Sequence, residues 1–199
     1  MKRIKIWNET PSDKQLDEIS QALGNGNLVI LPTDTLYAIV CDALNPKAIE
    51  RLCRLKGINP EKTNLSIICK DISMASEYAR FGNEEFQLLK KYAPGPFTFL
   101  FKAASKLPKA FKGRKTVGIR IPDCSLDRDI AARLDRPLLT TSINFSDEDY
   151  ARNPDLMAET YNDKVKMFVE GEEGELEPST IVDCTDGEIK VIRQGKGSL

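Results

Sequence analysis

The chain has 199 residues, 29 lysines and arginines against 30 aspartates and glutamates, and 41% apolar residues. This describes an ordinary globule, long enough for one domain over 1–199 that buries about 70% of its unfolded surface. It contains no histidine, which excludes Ser-His-Asp and Cys-His nucleophile machinery and any His-ligated metal.

The start, MKRIKIWNET, lacks the apolar core of a signal peptide, and no apolar run approaches the ~20 residues of a membrane span. Ile4 to Trp7 reads as a first strand. Ser12 caps a helix, with Gln15 three residues on as in a capping box, and Leu16, Ile19 and Leu23 form its apolar stripe before Gly24. Leu28 to Leu31 is a strand that breaks into Pro32-Thr33-Asp34-Thr35 and resumes as an apolar run at Leu36-Tyr37-Ala38-Ile39. Asn45-Pro46 opens the clearest helix, whose face is Ile49, Leu52 and Cys53, and Gly57 stops it. Leu65 to Cys69 is a strand, and Asp71 and Asn83 are expected to cap two further helices. The second of these carries Phe86, Leu89 and Tyr92 up to Pro94-Gly95-Pro96.

Phe97 to Ala103 and Thr116 to Ile121 read as strands flanking a loop. That loop carries Lys102, Lys106, Lys109, Lys112, Arg114 and Lys115 without an acid. Leu126, Ile130 and Leu134 stripe a helix after Ser125, Pro137 to Ser142 is a strand, and Asn153-Pro154 starts a short helix. Lys166 to Val169 is extended, and an acid-only stretch runs from Glu170 to Glu177. Thr180 to Cys184 and Ile189 to Ile192 bracket Asp186-Gly187, a hairpin signal. The order predicts an α/β fold, one twisted mixed β-sheet flanked by helices with a ligand crevice. Neither G-x-G-x-x-G nor a Walker motif is present.

Five cysteines, Cys41, Cys53, Cys69, Cys124 and Cys184, never form a C-x-x-C pair. They read as reduced thiols of a cytoplasmic protein and offer no metal site. A histidine-free site works with carboxylates, hydroxyls, amides, lysine and arginine, which suits phosphoryl or nucleotidyl transfer. Such groups sit where apolar strands end: Thr33, Asp34 and Thr35; Arg120; Thr140, Thr141, Ser142 and Asn144; Ser179, Thr180 and Arg193. Polar strand ends of an open α/β sheet form its usual ligand crevice. The structural alternatives are that Thr140 and Thr141 simply suit a strand, that Ser142 and Asn144 make a turn, and that Lys56 answers the helix dipole. Arg120, inside Val117-Gly118-Ile119-Arg120-Ile121-Pro122, needs an anionic partner.

These pieces occur in order: Pro32 to Tyr37, Lys56-Gly57, Pro94 to Thr98, Val117 to Pro122, Ser142-Ile143-Asn144 and Pro178 to Asp183. Together they resemble the YrdC family of threonylcarbamoyl-AMP synthases, including its YciO branch, over essentially the whole chain and without the additional C-terminal domain of longer members. The resemblance implies ATP, L-threonine and bicarbonate as substrates, with Mg²⁺ carried by the nucleotide, and threonylcarbamoyl-AMP and pyrophosphate as products. It also implies a place beside other proteins of the pathway that modifies adenosine 37 of tRNA. On matching positions, Thr35, Arg120, Thr140 and Ser179 would hold threonine. Lys56, Thr116, Ser142, Asn144 and Arg193 would hold the nucleotide, with Lys56 and Arg120 as the catalytic pair. Members are also associated with tRNA and double-stranded RNA, for which Lys109, Lys112 and Arg114, with Phe111 between them, are the expected contact.

Three positions depart from the synthases. Ile58 stands where they carry the arginine of K-x-R, with Arg54 or Lys62 as candidate substitutes; Ala38 follows Tyr37 in place of glycine; and a histidine after the V-G-I-R-x-P motif is missing. All three point to the YciO branch. The sequence therefore supports two functions, an acyl-adenylate-forming enzyme and a nucleotide- or double-stranded-RNA-binding protein with little synthesis.

Overall fold

The computed structural model describes residues 1–6, 10–60, 62–112, 115–143, 153–171 and 176–199, with only the backbone of Lys112. Helix α1 (Asp13–Gly24) starts as the sequence requires, because Ser12 accepts from the Gln15 amide while the Gln15 side chain accepts from the Ser12 amide. In α2 (Pro46–Lys56) the Asn45 side chain accepts from the amides of Lys47 and Ala48, and Gly57 ends the helix at φ 63°. That left-handed turn suits glycine, which has no Cβ to clash there. The remaining helices are α3 (Ile72–Tyr78), α4 (Asn83–Tyr92), α5 (Lys109–Lys112), α6 (Ser125–Leu134) and α7 (Pro154–Tyr161).

The strands are β1 (Lys2–Lys5), β2 (Val29–Leu31), β3 (Ala38–Asp42), β4 (Ser66–Ile68), β5 (Ala79–Arg80), β6 (Phe97–Ala103), β7 (Thr116–Arg120), β8 (Leu138–Ser142), β9 (Met167–Glu170), β10 (Thr180–Asp183) and β11 (Lys190–Arg193). One sheet runs β1-β9-β2-β3-β8-β4-β7-β6-β10-β11, with β5 paired to β6. It is mixed: β4 and β7 are parallel, as are β6 and β10, whereas β8 runs antiparallel to both of its neighbours, β3 and β4. The expected α/β architecture is therefore the one observed.

Several local expectations change. Asn83 is not a cap but the first residue of α4. Gly82 takes that place, its amide bonded to the Glu85 carboxylate at 2.8 Å. Cys124, not Ser125, precedes the first turn of α6. The break at Thr33-Asp34-Thr35 is a chain reversal, since β3 returns antiparallel along β2 with Ile30 opposite Ile39. The first strand spans Lys2–Lys5, and Trp7 lies outside the described residues. Late in the chain, β10 joins the sheet by parallel pairing with β6 before its hairpin to β11.

The two sheet faces are covered differently. On one, Ile39, Ile67, Phe99, Ile119, Leu139 and Val182 pack under α2, α3, α4 and α7. On the other, α1 and α6 bury Val40, Ile68 and Leu138 with Leu16, Ile19, Leu23, Leu126 and Ile130. Alternation of side chains along a strand puts Ala38 on the face of Val40, Ser66 on that of Ile68, and Thr140 and Ser142 on that of Leu138. The α1–α6 layer buries the apolar residues of this face and leaves its small polar ones to line a cavity.

Candidate functional site

A cavity of about 170 Å³ occupies that uncovered half-face. It is lined by Thr35 and Ala38, by Asn64 and Ser66, by Arg120, Thr140 and Ser142, and by Thr98, Ser179 and Arg193, among others. The volume is below the ~300–1,000 Å³ of sites for drug-sized ligands and is on the scale of an amino acid. The register explains the convergence. Ser66 lies opposite both Thr140 and Gly118, Ala38 opposite Ser142, and Ile181 opposite both Thr98 and Arg193. The polar groups thus share one face of adjacent strands, rather than the strand tips expected from the sequence. Gly118 keeps the floor low, because a Cβ there would lie 2.4 Å from Ser66 Oγ and 3.1 Å from Thr98 Cγ2.

The Thr-Asp-Thr turn forms one wall. Thr33 Oγ1 donates to the Leu36 carbonyl at 2.8 Å and accepts from the Thr35 amide at 3.1 Å, closing the turn on itself. Thr35 Oγ1 then accepts from Arg120 Nη2 at 3.0 Å, and the same nitrogen donates to Asp34 Oδ1 at 2.7 Å. The Arg120 and Asp34 side chains are 8% and 6% exposed. Burial pushes the Asp34 carboxyl above the usual carboxylate range, while Arg120 and the Asp123 amide pull it back.

The opposite wall comes from the C-terminal hairpin. Ser179 Oγ lies 2.8 Å from Thr98 Oγ1, and Arg193 donates from Nη2 to the Ser179 carbonyl at 2.6 Å. Burial and the charge of Arg120 both lower the pKa of Arg193, so two guanidinium groups press on one small space. Arg120 Nε and Thr140 Oγ1 are buried without a partner among the described residues. Leaving such a group unpaired costs about 1–3 kcal/mol, and both belong to residues lining the cavity. The donors left over suit a carboxylate or another small oxyanion.

Thr35, Arg120, Thr140, Ser142, Ser179 and Arg193 therefore meet at one cavity. Lys56 and Thr116 are not among its lining residues. Thr116 is one residue removed, donating to Asn64 Oδ1 at 3.2 Å. Lys56 is half-buried at the end of α2, has no anionic partner among the described residues, and has its pKa lowered by burial. Asn144 lies outside the described residues, as does Arg114, and nothing describes the Lys112 side chain. Lys109 begins α5 and borders a separate hollow with Ile49, Ile58 and Pro108. Phe111 is 2% exposed in the core, which corrects its expected place in a basic RNA-facing loop, because a buried ring cannot stack on a base. Lys106 pairs with Glu77.

Ile58 packs against the core cluster. Arg54 is an exposed i,i+4 partner of Glu50 at 2.7 Å, so in this arrangement its charge is engaged away from the cavity. Sequence reasoning missed Asn64, Ser66 and Thr98, and gave no role to Asp34. A serine inside Leu65-Ser66-Ile67 and a threonine inside Phe97-Thr98-Phe99 were the available signals, since each interrupts an apolar strand.

Fold and cavity together define a mixed-sheet α/β protein with a small arginine-lined pocket. The family that groups Sua5, YciO and YrdC proteins, described as telomere recombination, matches residues 21–195, and the chain belongs to it. A Methanocaldococcus jannaschii protein named "Putative threonylcarbamoyl-AMP synthase" is 33% identical over 98% of this chain and 93% of its own. The crystal structure of Escherichia coli YciO superposes with a TM-score of 0.91 at 27% identity, covering 100% of this chain and 98% of that one. P. abyssi Sua5, crystallised with L-threonine, gives a TM-score of 0.87 at 24% identity over 98% of this chain and 58% of that one, a likeness of fold.

Proposed function

We propose that this protein binds L-threonine and ATP and has the chemistry of a threonylcarbamoyl-AMP synthase. L-Threonine and bicarbonate condense to a carbamate, losing water. A carbamate oxygen then attacks the α-phosphorus of ATP, and pyrophosphate leaves with its Mg²⁺. The observation that carries this reading is the convergence of Thr35, Arg120, Thr140 and Ser179 on one amino-acid-sized cavity. In it, Arg120 answers the threonine carboxylate and Thr35, Thr140 and Ser179 its remaining polar groups. Arg193 and Ser142, with Lys56, Thr116 and Asn144, take the nucleotide, and the cations offset charge developing on the phosphates. Threonine bound by the P. abyssi Sua5 of the same fold supports the choice of amino acid.

One observation favours a second reading, a nucleotide- or RNA-binding protein of the YciO kind with slow synthesis. The second cation of K-x-R is Ile58, packed on the core, and Arg54 faces Glu50. Loss of a transition-state arginine costs ~10³-fold or more in phosphoryl transfer.

The separating experiment incubates the protein with ATP, Mg²⁺, bicarbonate and labelled threonine, and follows threonine-dependent pyrophosphate. Slow formation is expected, with Ile58→Arg raising it at least tenfold. A well-folded Ile58→Arg variant without gain argues that the pocket serves another reaction.

A further inference from the structure

We propose that Asp34 is a positioning residue for ligand recognition, holding the Arg120 guanidinium so that its remaining donors read a carboxylate. This rests on the reading of the cavity as an amino-acid site. Arginine offers five N–H donors in a fixed fork. Asp34 Oδ1 and Thr35 Oγ1 together occupy Nη2, at 2.7 and 3.0 Å, and the buried Nε has no partner among the described residues.

Asp34 is itself held at three points. Its Oδ2 accepts from the Asp123 amide at 2.9 Å, its Oδ1 from Arg120, and its main-chain carbonyl from the Lys196 ammonium at 3.0 Å. Those partners come from β7, from the loop that follows it and from the C-terminal tail. The carboxylate is thus fixed independently of any ligand, and it fixes the guanidinium in turn.

Charge argues the same way. Arg120 and Arg193 line one cavity of about 170 Å³, close enough for Arg120 to depress the Arg193 pKa. Asp34 offsets one of these charges from behind the cavity, since it is not among the lining residues. So dry an ion pair repays little net stability, because desolvating both ions costs about what their attraction returns. Its value lies in orientation: with Asp34 absent, Arg120 is free to turn from the cavity, and two like charges face each other uncompensated.

The test is calorimetric titration of the full chain with L-threonine and with L-threoninol, in which CH₂OH replaces the carboxylate. The native protein is expected to prefer threonine. Asp34→Asn should bind threonine about tenfold to a hundredfold more weakly, the worth of hydrogen bonds to charged groups, and threoninol almost unchanged. Asp34→Glu keeps the charge but displaces it by one methylene, and should recover part of the preference; it carries the test if Asp34→Asn does not fold. A merely structural role would lower the melting temperature of either variant and leave the threonine-to-threoninol ratio intact, which overturns the proposal. Failure of the native protein to bind threonine overturns the reading of the cavity and this role with it, and the native titration alone reports that outcome.

Discussion

Lys56 ends α2 half-buried, and burial pulls its ammonium below the ordinary lysine range. Linkage gives the sign. A lysine depressed in the fold contributes stability present above the unfolded pKa, near 10.4, and lost as pH falls through the folded value. At neutral pH the charged side chain therefore weakens the fold, a pattern expected where a residue is kept for binding. Lys56→Met should keep or raise the melting temperature at pH 7 while weakening ATP binding. Affinity of the native protein for ATP should fall with rising pH before a free lysine would lose its proton, and Lys56→Arg should remove that fall. A flat alkaline profile for the native protein would take Lys56 out of phosphate binding. Arg120 was legible as a single residue, because a guanidinium inside an apolar strand needs an anionic partner, whereas Lys56 was singled out by the family resemblance. Asp34 stood out as part of a polar break after an apolar strand, but its partner, 86 residues away, did not.

At the scale of elements, β10 and the tail that follows β11 act as one unit. The Thr180 hydroxyl donates to the Gly197 carbonyl at 2.6 Å and accepts from the Gly195 amide at 2.9 Å. Thr180 is fully buried. Gly195 fits only as glycine, since a Cβ there would meet the Pro178 carbonyl at 2.1 Å. This clasp holds Arg193 over Ser179. Thr180→Val fills nearly the same space but takes the acceptor from the half-buried Gly195 amide, while the Gly197 carbonyl keeps the Gln194 side chain at 2.6 Å, so it should cost about 0.5–1.5 kcal/mol in denaturant unfolding and weaken ligand binding in step. A cost under ~0.5 kcal/mol, the scale of neutral surface changes, would mean that the tail is held by other contacts. Helices α1 and α2 were readable to within a residue, because caps and apolar stripes are local. The pairing of β10 with β6 was not, because parallel strands are joined through long crossovers that leave no local mark.

For the whole molecule, the cavity exists because the α1–α6 layer buries only the apolar half of its sheet face, leaving polar groups that a ligand can complete. Binding to the native state must then stabilise it. L-Threonine at 100 times its Kd adds ~2.7 kcal/mol, and at ~2–4 °C per kcal/mol for a chain of this size the melting temperature should rise by roughly 5–11 °C. Saturating threonine without any shift would sink the amino-acid reading. The sequence by itself determined the helix caps, the apolar alternation of the strands, the absence of imidazole chemistry and the order of motifs that marks the family, because each is written in neighbouring residues. Only the tertiary structure decided that Thr98 meets Ser179 across 81 residues, that Asp34 holds Arg120, and that Phe111 turns inward. Alternation fixes which face a side chain takes, but strand order fixes whom it meets, and strand order is settled by long-range hydrogen bonding and burial across the whole sheet.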